Sequence, residues 1–342
     1  MKTCKHFMEA FTDWENLERA YKRMNKNKKY AEERYLFDIN HEENMAIIQE
    51  LLKSGTYIFD EAWQRVIYDP QKRTLAIPEY IDRLVEGAFD IAATPLINSY
   101  LIDGSFACIK GKGMVKAVER IQNYLREPST KVILSTDIKS CFDSFPHPVI
   151  LYAWSRIISD TDALDFLDSN LQMMGSDGCG VDKGNVLSQD HGNLVMGLLD
   201  HYVCDELGFG KRVRYMDDSR DFLRSREEAK DLLEEEEIFC RRLGIKLHPK
   251  KTKIIDYDDR KGIDFCKRII HRSYVDLAPQ RIYQTIRKVK KHAKDIDAGI
   301  LPIKQLTQDW DSFAGELKHV RQTELTDKCQ NIILEEMKRL SG

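Results

Sequence analysis

The stretch Arg212-Val213-Arg214-Tyr215-Met216-Asp217-Asp218 decides the fold. Two adjacent carboxylates follow an aromatic residue, and residues 211–224 read as a hairpin that carries them. Far upstream, Val132-Ile133-Leu134-Ser135-Thr136-Asp137-Ile138 lies in a buried strand, residues 131–138, that ends in a third aspartate. An apolar strand ending in one Asp, beside a hairpin bearing Asp-Asp, is what a two-metal phosphoryl-transfer site needs. Two Mg²⁺ ions clamp the attacking and leaving oxygens, and hard cations want carboxylate oxygens. In a chain with 56 acidic residues an isolated Asp-Asp pair is ordinarily a solvated loop, so the weight rests on its ordered companions.

The 342 residues are 42% hydrophobic and 32% charged, enough for a sizeable core and two or three lobes. Net charge is −3 and the pI about 6.3, so any nucleic-acid surface must be local. Eight cysteines form no Cys-x-x-Cys pair, which fits reduced thiols in a cytoplasmic protein. Met1-Lys2-Thr3-Cys4-Lys5-His6 lacks an apolar signal core. The best apolar run, Leu194 to Cys204, is broken by Asp200 and His201, so a soluble protein with no membrane partner is expected.

Residues 8–55 read as helical, with Phe11, Trp14, Leu17, Tyr21 and Met24 at helical spacing. Val66-Ile67-Tyr68 and Thr74-Leu75-Ala76-Ile77 flank Asp69-Pro70-Gln71-Lys72-Arg73, a hairpin by its turn chemistry. Helices are expected over 79–102, 114–127, 147–174, 189–207 and 226–243. In the last of these, the run Glu234 to Glu237 reads as a solvated face. Strands are expected around Thr252–Tyr257 and Gly262–Ile270, and the last 65 residues read as helical. The class is α+β: a strand-helix-strand-strand core with helical additions at both ends.

Taken in order, these segments resemble the palm of a reverse transcriptase, whose hallmark is Tyr-x-Asp-Asp. Asp137 is followed five residues later by Phe142, as the first catalytic Asp of that family is followed by an aromatic steric gate. By residue type alone, Phe142 is as readily a core phenylalanine. Lys183-Gly184-Asn185-Val186-Leu187-Ser188-Gln189 resembles the motif Gln-Gly-x-x-x-Ser-Gln/Pro. Its glycine lets the backbone approach the base pair, whereas a turn and an N-cap are its structural meaning. Lys72 and Arg73 resemble the basic tip of the fingers hairpin, which grips the triphosphate. Gly104 to Gly113 resembles the segment tracking the template backbone, and Leu243 to Lys253 the next palm motif. Gly262 to Arg268 sits where the primer-grip hairpin belongs. Arg281 to Lys294 holds six Arg or Lys and no acid, a basic face for phosphates or for solvent. Phe313 to His319 resembles a thumb-end motif.

The resemblance spans residues 35–325. It implies a right-hand polymerase of fingers, palm and thumb, with a ferredoxin-like palm and helical N- and C-terminal parts. The implied division is an N-terminal helical extension over 1–60, fingers over 61–130, palm over 131–272 with helices 147–207, and a helical thumb over 273–342. It implies metal ligation by Asp137, Ile138, Asp217 and Asp218, the three aspartates being catalytic. Lys72, Arg73, Ile138, Phe142, Gly184, Ser188 and Gln189 fall on the nucleotide side. Lys110, Lys112, Lys250, Lys251, Lys253, Arg287, Lys288 and Lys291 fall on the nucleic-acid side. The implied cofactor is two Mg²⁺ ions, with Mn²⁺ as a substitute. The implied partners are an RNA template, a DNA or RNA primer, dNTPs, and a cognate structured RNA or accessory protein.

Compact size and the Ser105 to Gly113 segment resemble enzymes of diversity-generating retroelements and related antiphage-defence reverse transcriptases. Templated, untemplated or protein-primed DNA synthesis and a non-catalytic RNA-binding scaffold are the alternatives. Three positions depart from the pattern. Lys183 replaces the usual Gln or aliphatic residue. Ser219-Arg220-Asp221-Phe222 is charged where the family runs apolar, which implies a partner surface, bound RNA or an altered second-metal environment. Cys266-Lys267-Arg268 replaces Leu-Gly-Tyr of the primer grip. Asp143 reads as a capping or surface residue rather than a fourth ligand.

Overall fold

A computed structural model describes residues 3–26, 32–68 and 72–341. Four helices open the chain: α1 (Phe7–Phe11), α2 (Trp14–Met24), α3 (Glu32–Asp38) and α4 (His41–Lys53). The antiparallel pair β1 (Trp63–Tyr68) and β2 (Lys72–Ile77) follows, from Trp63 opposite Ile77 to Tyr68 opposite Lys72. The expected turn at Asp69-Pro70-Gln71 and the Lys72 and Arg73 side chains lie outside the described residues. Next come α5 (Tyr80–Tyr100), α6 (Met114–Arg126), β3 (Val132–Thr136), and α7 (Cys141–Ser144) to α8 (His147–Ser155). Then come α9 (Thr161–Gln172), α10 (Leu187–His201), β4 (Arg212–Tyr215), β5 (Asp218–Leu223) and α11 (Arg226–Arg242). The chain closes with β6 (Lys253–Asp256), β7 (Ile263–Phe265), β8 (Arg268–Ile270), β9 (Val275–Leu277), α12 (Pro279–Asp297), α13 (Lys304–Leu317) and α14 (Glu324–Ser341).

The central sheet has the order β4-β5-β3-β6, antiparallel throughout, the βαββαβ arrangement of a ferredoxin-like fold. β3 is buried along its whole length, which explains why Val132-Ile133-Leu134 reads as a continuous apolar run without alternation. Val132 and Leu134 join the main core with α5, α8 and α10, while Ile133 joins α6 on the opposite face. A third core ties Ile282 and Val289 of α12 to Phe313 of α13 and Ile333 of α14.

The helix expected over 147–174 is two helices. Residues 156–160 leave it because Cys4 takes the backbone there: its N–H donates to the Ile157 carbonyl at 2.9 Å, and its carbonyl accepts from Ser159 at 2.8 Å. Asp160 then accepts from the Met8 N–H at 3.0 Å. The strand expected over 262–270 is a hairpin, β7–β8, extended by β9 into a separate small sheet. Among the described residues no helix is long and apolar enough to cross a membrane.

Candidate active site

The sheet order places the ends of β3 and β5 side by side. Thr136 pairs with Ser219, so the next residues, Asp137 and Asp218, fall together at the end of the two central strands. Asp217 stands on the two-residue turn Met216-Asp217, closed by Tyr215 opposite Asp218. Met216 has φ 57°, a left-handed value uncommon for a non-glycine residue. Arg214 Nη1 donates to the Met216 carbonyl at 2.9 Å and holds the turn in that shape.

Burial pushes the Asp217 carboxyl above its ordinary value, and the neighbouring Asp137 charge adds to it. Two carboxylates from distant segments therefore share one field. Asp137 is buried, 6% exposed. Its Oδ2 accepts from Lys251 Nζ at 2.7 Å, while its Oδ1 has no hydrogen-bond partner. Burial works against the Lys251 charge, but the hydrogen bond and the Asp137 charge outweigh it and hold the ammonium above its ordinary value. Lys251 was grouped by sequence with backbone-contacting cations; it sits instead on the first aspartate. The 245–251 segment is held there by the His248 N–H, which donates to the Asp137 carbonyl at 2.7 Å. Asp218 accepts from Arg220 on one oxygen and from the Cys266 thiol on the other at 3.8 Å.

Among the described residues no three His, Cys, Asp or Glu side chains converge as a ready cation cage. The donor set nevertheless suits a hard divalent ion: a buried carboxylate oxygen without a partner on Asp137, beside the desolvated Asp217. Ile138 is buried at 2% exposure with its side chain in the main core, so only its backbone can take part.

Beneath the turn lies a buried ionic network. Arg212 donates to Asp200 at 3.0 Å, Asp221 at 2.9 Å and Glu236 at 2.5 Å. Arg214 donates to Asp200 at 2.6 Å and to Ser105 Oγ at 3.1 Å. The charged strand after Asp218 is thus turned inward: Asp221 and Arg220 are 1% and 6% exposed. That overturns its reading as a partner or RNA surface. Glu236 is 0% exposed, which corrects the solvated-face reading of Glu234 to Glu237 at that position. Burial pushes the Asp221 carboxyl up to about 8, with the Arg212 charge opposing and the Glu236 and Asp200 charges adding to it.

The Lys183–Gln189 loop packs on β2. The Ala76 N–H donates to the Lys183 carbonyl at 3.1 Å, and Gly184, at φ 114°, leaves only 2.8 Å between a built Cβ and the Ala76 carbonyl oxygen. Here glycine is a steric requirement. Lys183 Nζ binds Asp143 at 2.7 and 2.9 Å, in line with a surface role for Asp143. The two line a cleft of about 400 Å³ between the β1–β2 hairpin and the Gly175–Lys183 loop. Ser188 is buried and donates to the Asp182 carbonyl at 2.7 Å; Gln189 is exposed. Phe142 is half-buried, and its ring edge and the Met216 methyl each come within 3.7 Å of a Cβ built on Gly192 of α10.

Sequence reasoning missed Glu86. It lies on α5 at 2% exposure and accepts from Asn185 of the loop and from Asn170 at 3.0 Å. Burial pushes its carboxyl up to about 7. No local signal marks it, because its partners lie 84 and 99 residues away.

Of the cations grouped for nucleic acid, Lys110, Lys250, Lys253, Arg287 and Lys291 are exposed. Lys112 is turned onto the Asp103 carbonyl at 2.9 Å, and Lys288 pairs with buried Asp309 at 3.2 Å.

A ferredoxin-like sheet with one aspartate at the end of β3 and two on the adjoining hairpin defines the palm of a right-hand polymerase. The reverse transcriptase (RNA-dependent DNA polymerase) family profile matches residues 69–290, and the chain belongs to that family. The structure is similar to apo telomerase from Candida tropicalis truncated from its C-terminal domain. That likeness has 12% identity and TM-score 0.50, over 64% of this chain and 55% of that one. Apo telomerase from the same organism gives 11% identity and TM-score 0.50, over 83% of this chain and 58% of that one. These likenesses are of fold, and the chain spans little more than half the length of either telomerase. No curated protein matches the chain.

Proposed function

We propose that the chain is a working RNA-directed DNA polymerase that makes cDNA by two-metal phosphoryl transfer. The observation that carries it is the meeting of Asp137 and Asp217, 80 positions apart in sequence, as carboxylates withdrawn from solvent at the end of the central strands, with Asp137 Oδ1 unpartnered. Such a pair would hold Mg²⁺, or Mn²⁺ in its place, through hard oxygens. When bound, the ions acidify a primer 3′-hydroxyl and neutralise charge developing on the phosphates.

The rest falls to side chains. Asp137 and Asp217 fix the reacting centre, and Arg214 keeps the turn that presents Asp217 in its strained shape. Lys251 balances the Asp137 charge until substrate arrives. Phe142, beside Met216, is assigned as the gate against a ribose 2′-hydroxyl. Lys72 and Arg73 are assigned to the triphosphate, and Gly184 and Gln189 to the nascent pair. The exposed Lys110, Lys250, Lys253, Arg287 and Lys291 are assigned to the template and primer backbone. We keep the division of fingers over 61–130, palm over 131–272 and thumb over 273–342, with 1–60 as a helical extension.

Within the family we place the chain with the diversity-generating retroelement enzymes, on the Ser105–Gly113 segment, acting with a cognate structured RNA or accessory protein. An antiphage role is the alternative. Sequencing the extension product distinguishes them: frequent template-dependent errors support the first, untemplated or protein-linked DNA the second. One observation favours a non-catalytic scaffold: Asp137 and Asp218 both carry protein cations. Extension with Mg²⁺, RNA template, primer and dNTPs would exclude that reading.

A further inference from the structure

Two departures from the family pattern meet on one carboxylate. Arg220, from the charged strand β5, and Cys266, from the altered hairpin, each bind a different oxygen of Asp218. Arg220 is itself anchored: it donates to the Ser219 carbonyl at 2.7 Å and to the Asp264 carbonyl at 2.6 Å. Its guanidinium lies 5.2 Å from the centroid of the Phe265 ring. One side chain thus ties the turn bearing Asp217 and Asp218 to β7.

Cys266 and Lys267 form the two-residue turn between β7 and β8, closed by Phe265 opposite Arg268. Their φ values are 48° and 65°. Turns with two successive left-handed residues favour Asn-Gly or Gly-Gly; a thiol and a lysine there are strained. Such strain persists only where the surroundings enforce it, and it concentrates at functional sites. Lys267 is exposed, whereas the Cys266 side chain reaches Asp218.

We propose that Arg220 and Cys266 are positioning residues that grip both oxygens of Asp218. Asp218 then orients the catalytic turn and couples it to the β7–β8 hairpin, while Asp137 and Asp217 face the cation. This deepens the polymerase reading and rests on it.

The test combines Mn²⁺ titration of the full chain by calorimetry, thermal unfolding and single-turnover extension. Asp217→Asn is expected to weaken Mn²⁺ binding at least tenfold, and Asp218→Asn to change it less than about twofold. Cys266→Gly relaxes the turn, so it is expected to raise the unfolding midpoint. It is also expected to lower turnover about fivefold, with KM for dNTP unchanged. Cys266→Ser, which keeps a donor, is expected to restore turnover. A purely structural role would not move stability and turnover in opposite directions. Equal loss of Mn²⁺ binding in Asp217→Asn and Asp218→Asn would overturn the inference, as would Cys266→Gly with full turnover. Unchanged Mn²⁺ binding in both aspartate variants would overturn the polymerase reading, and this inference with it.

Discussion

Asp200→Asn tests whether the ionic network under the catalytic turn holds that turn in place. Asp200 is 0% exposed. Its Oδ1 accepts from Arg212 at 3.0 Å, and its Oδ2 accepts from Arg214 at 2.6 Å and from Ser105 at 3.0 Å. An amide keeps one acceptor and sets an NH₂ group against a guanidinium. Breaking a buried, hydrogen-bonded charge pair costs about 3–5 kcal/mol. Burial pushes the Asp221 carboxyl in the native network from 3.8 up to about 8. An acid raised in this way stabilises the fold fully below its unfolded pKa and loses that contribution as pH rises towards 8. Burial is the main cause of that rise and is untouched by Asp200→Asn, so the variant keeps a pH dependence of the same direction. The penalty of the substitution should therefore be about 3 kcal/mol near pH 8. Urea unfolding followed by the fluorescence of the four tryptophans measures it. A penalty below about 1 kcal/mol at pH 8 would refute the reasoning.

Three further outcomes are expected. Glu86→Gln should remove a loss of stability that the native chain shows as pH rises from about 4.5 to about 7. The difference is about 3 kcal/mol from the size of the shift, read from unfolding midpoints at pH 5 and 8. Gly184→Ala forces a Cβ to within 2.8 Å of the Ala76 carbonyl oxygen at φ 114°, so it should cost about 1–2 kcal/mol. Hydrogen exchange at the Ala76 amide, which bonds the same loop, should accelerate. Phe142→Ala should lower the preference for dNTP over rNTP on the order of 10–100-fold in kcat/KM; an unchanged ratio would return Phe142 to the core.

How much of this was legible in the sequence depends on the distance over which the information is carried. The apolar run ending at Asp137 and the hairpin around Asp217 and Asp218 are local patterns, and their juxtaposition follows from strand pairing within one βαββαβ unit. The Lys183–Gln189 loop was likewise marked by its own glycine. What the sequence hid were contacts whose meaning lies in the partner. Arg220 and Asp221 read as surface because charged residues are rarely buried unless paired; Arg220 pairs with Asp218 two positions before it, but its second anchor, the Asp264 carbonyl, and the Arg212 that binds Asp221 lie on other strands. Glu86 carried no pattern because its two amide partners come from α9 and from the loop before α10, far along the chain. Lys251 looked like one more cation in Lys250-Lys251-Thr252-Lys253; only the bridge that brings 245–251 against β3 selects it for Asp137. The break at 156–160 was invisible for the same reason, since the N-terminal segment imposes it.

The central claim is that Asp137 and Asp217 form a cation-dependent polymerising centre. The most direct measurement is primer extension on an RNA template with Mg²⁺ and dNTPs, comparing the native chain with an Asp217→Asn variant whose circular dichroism and unfolding midpoint match it. The account predicts templated DNA from the native chain and none from the variant. Extension by the variant at an unchanged rate would contradict it.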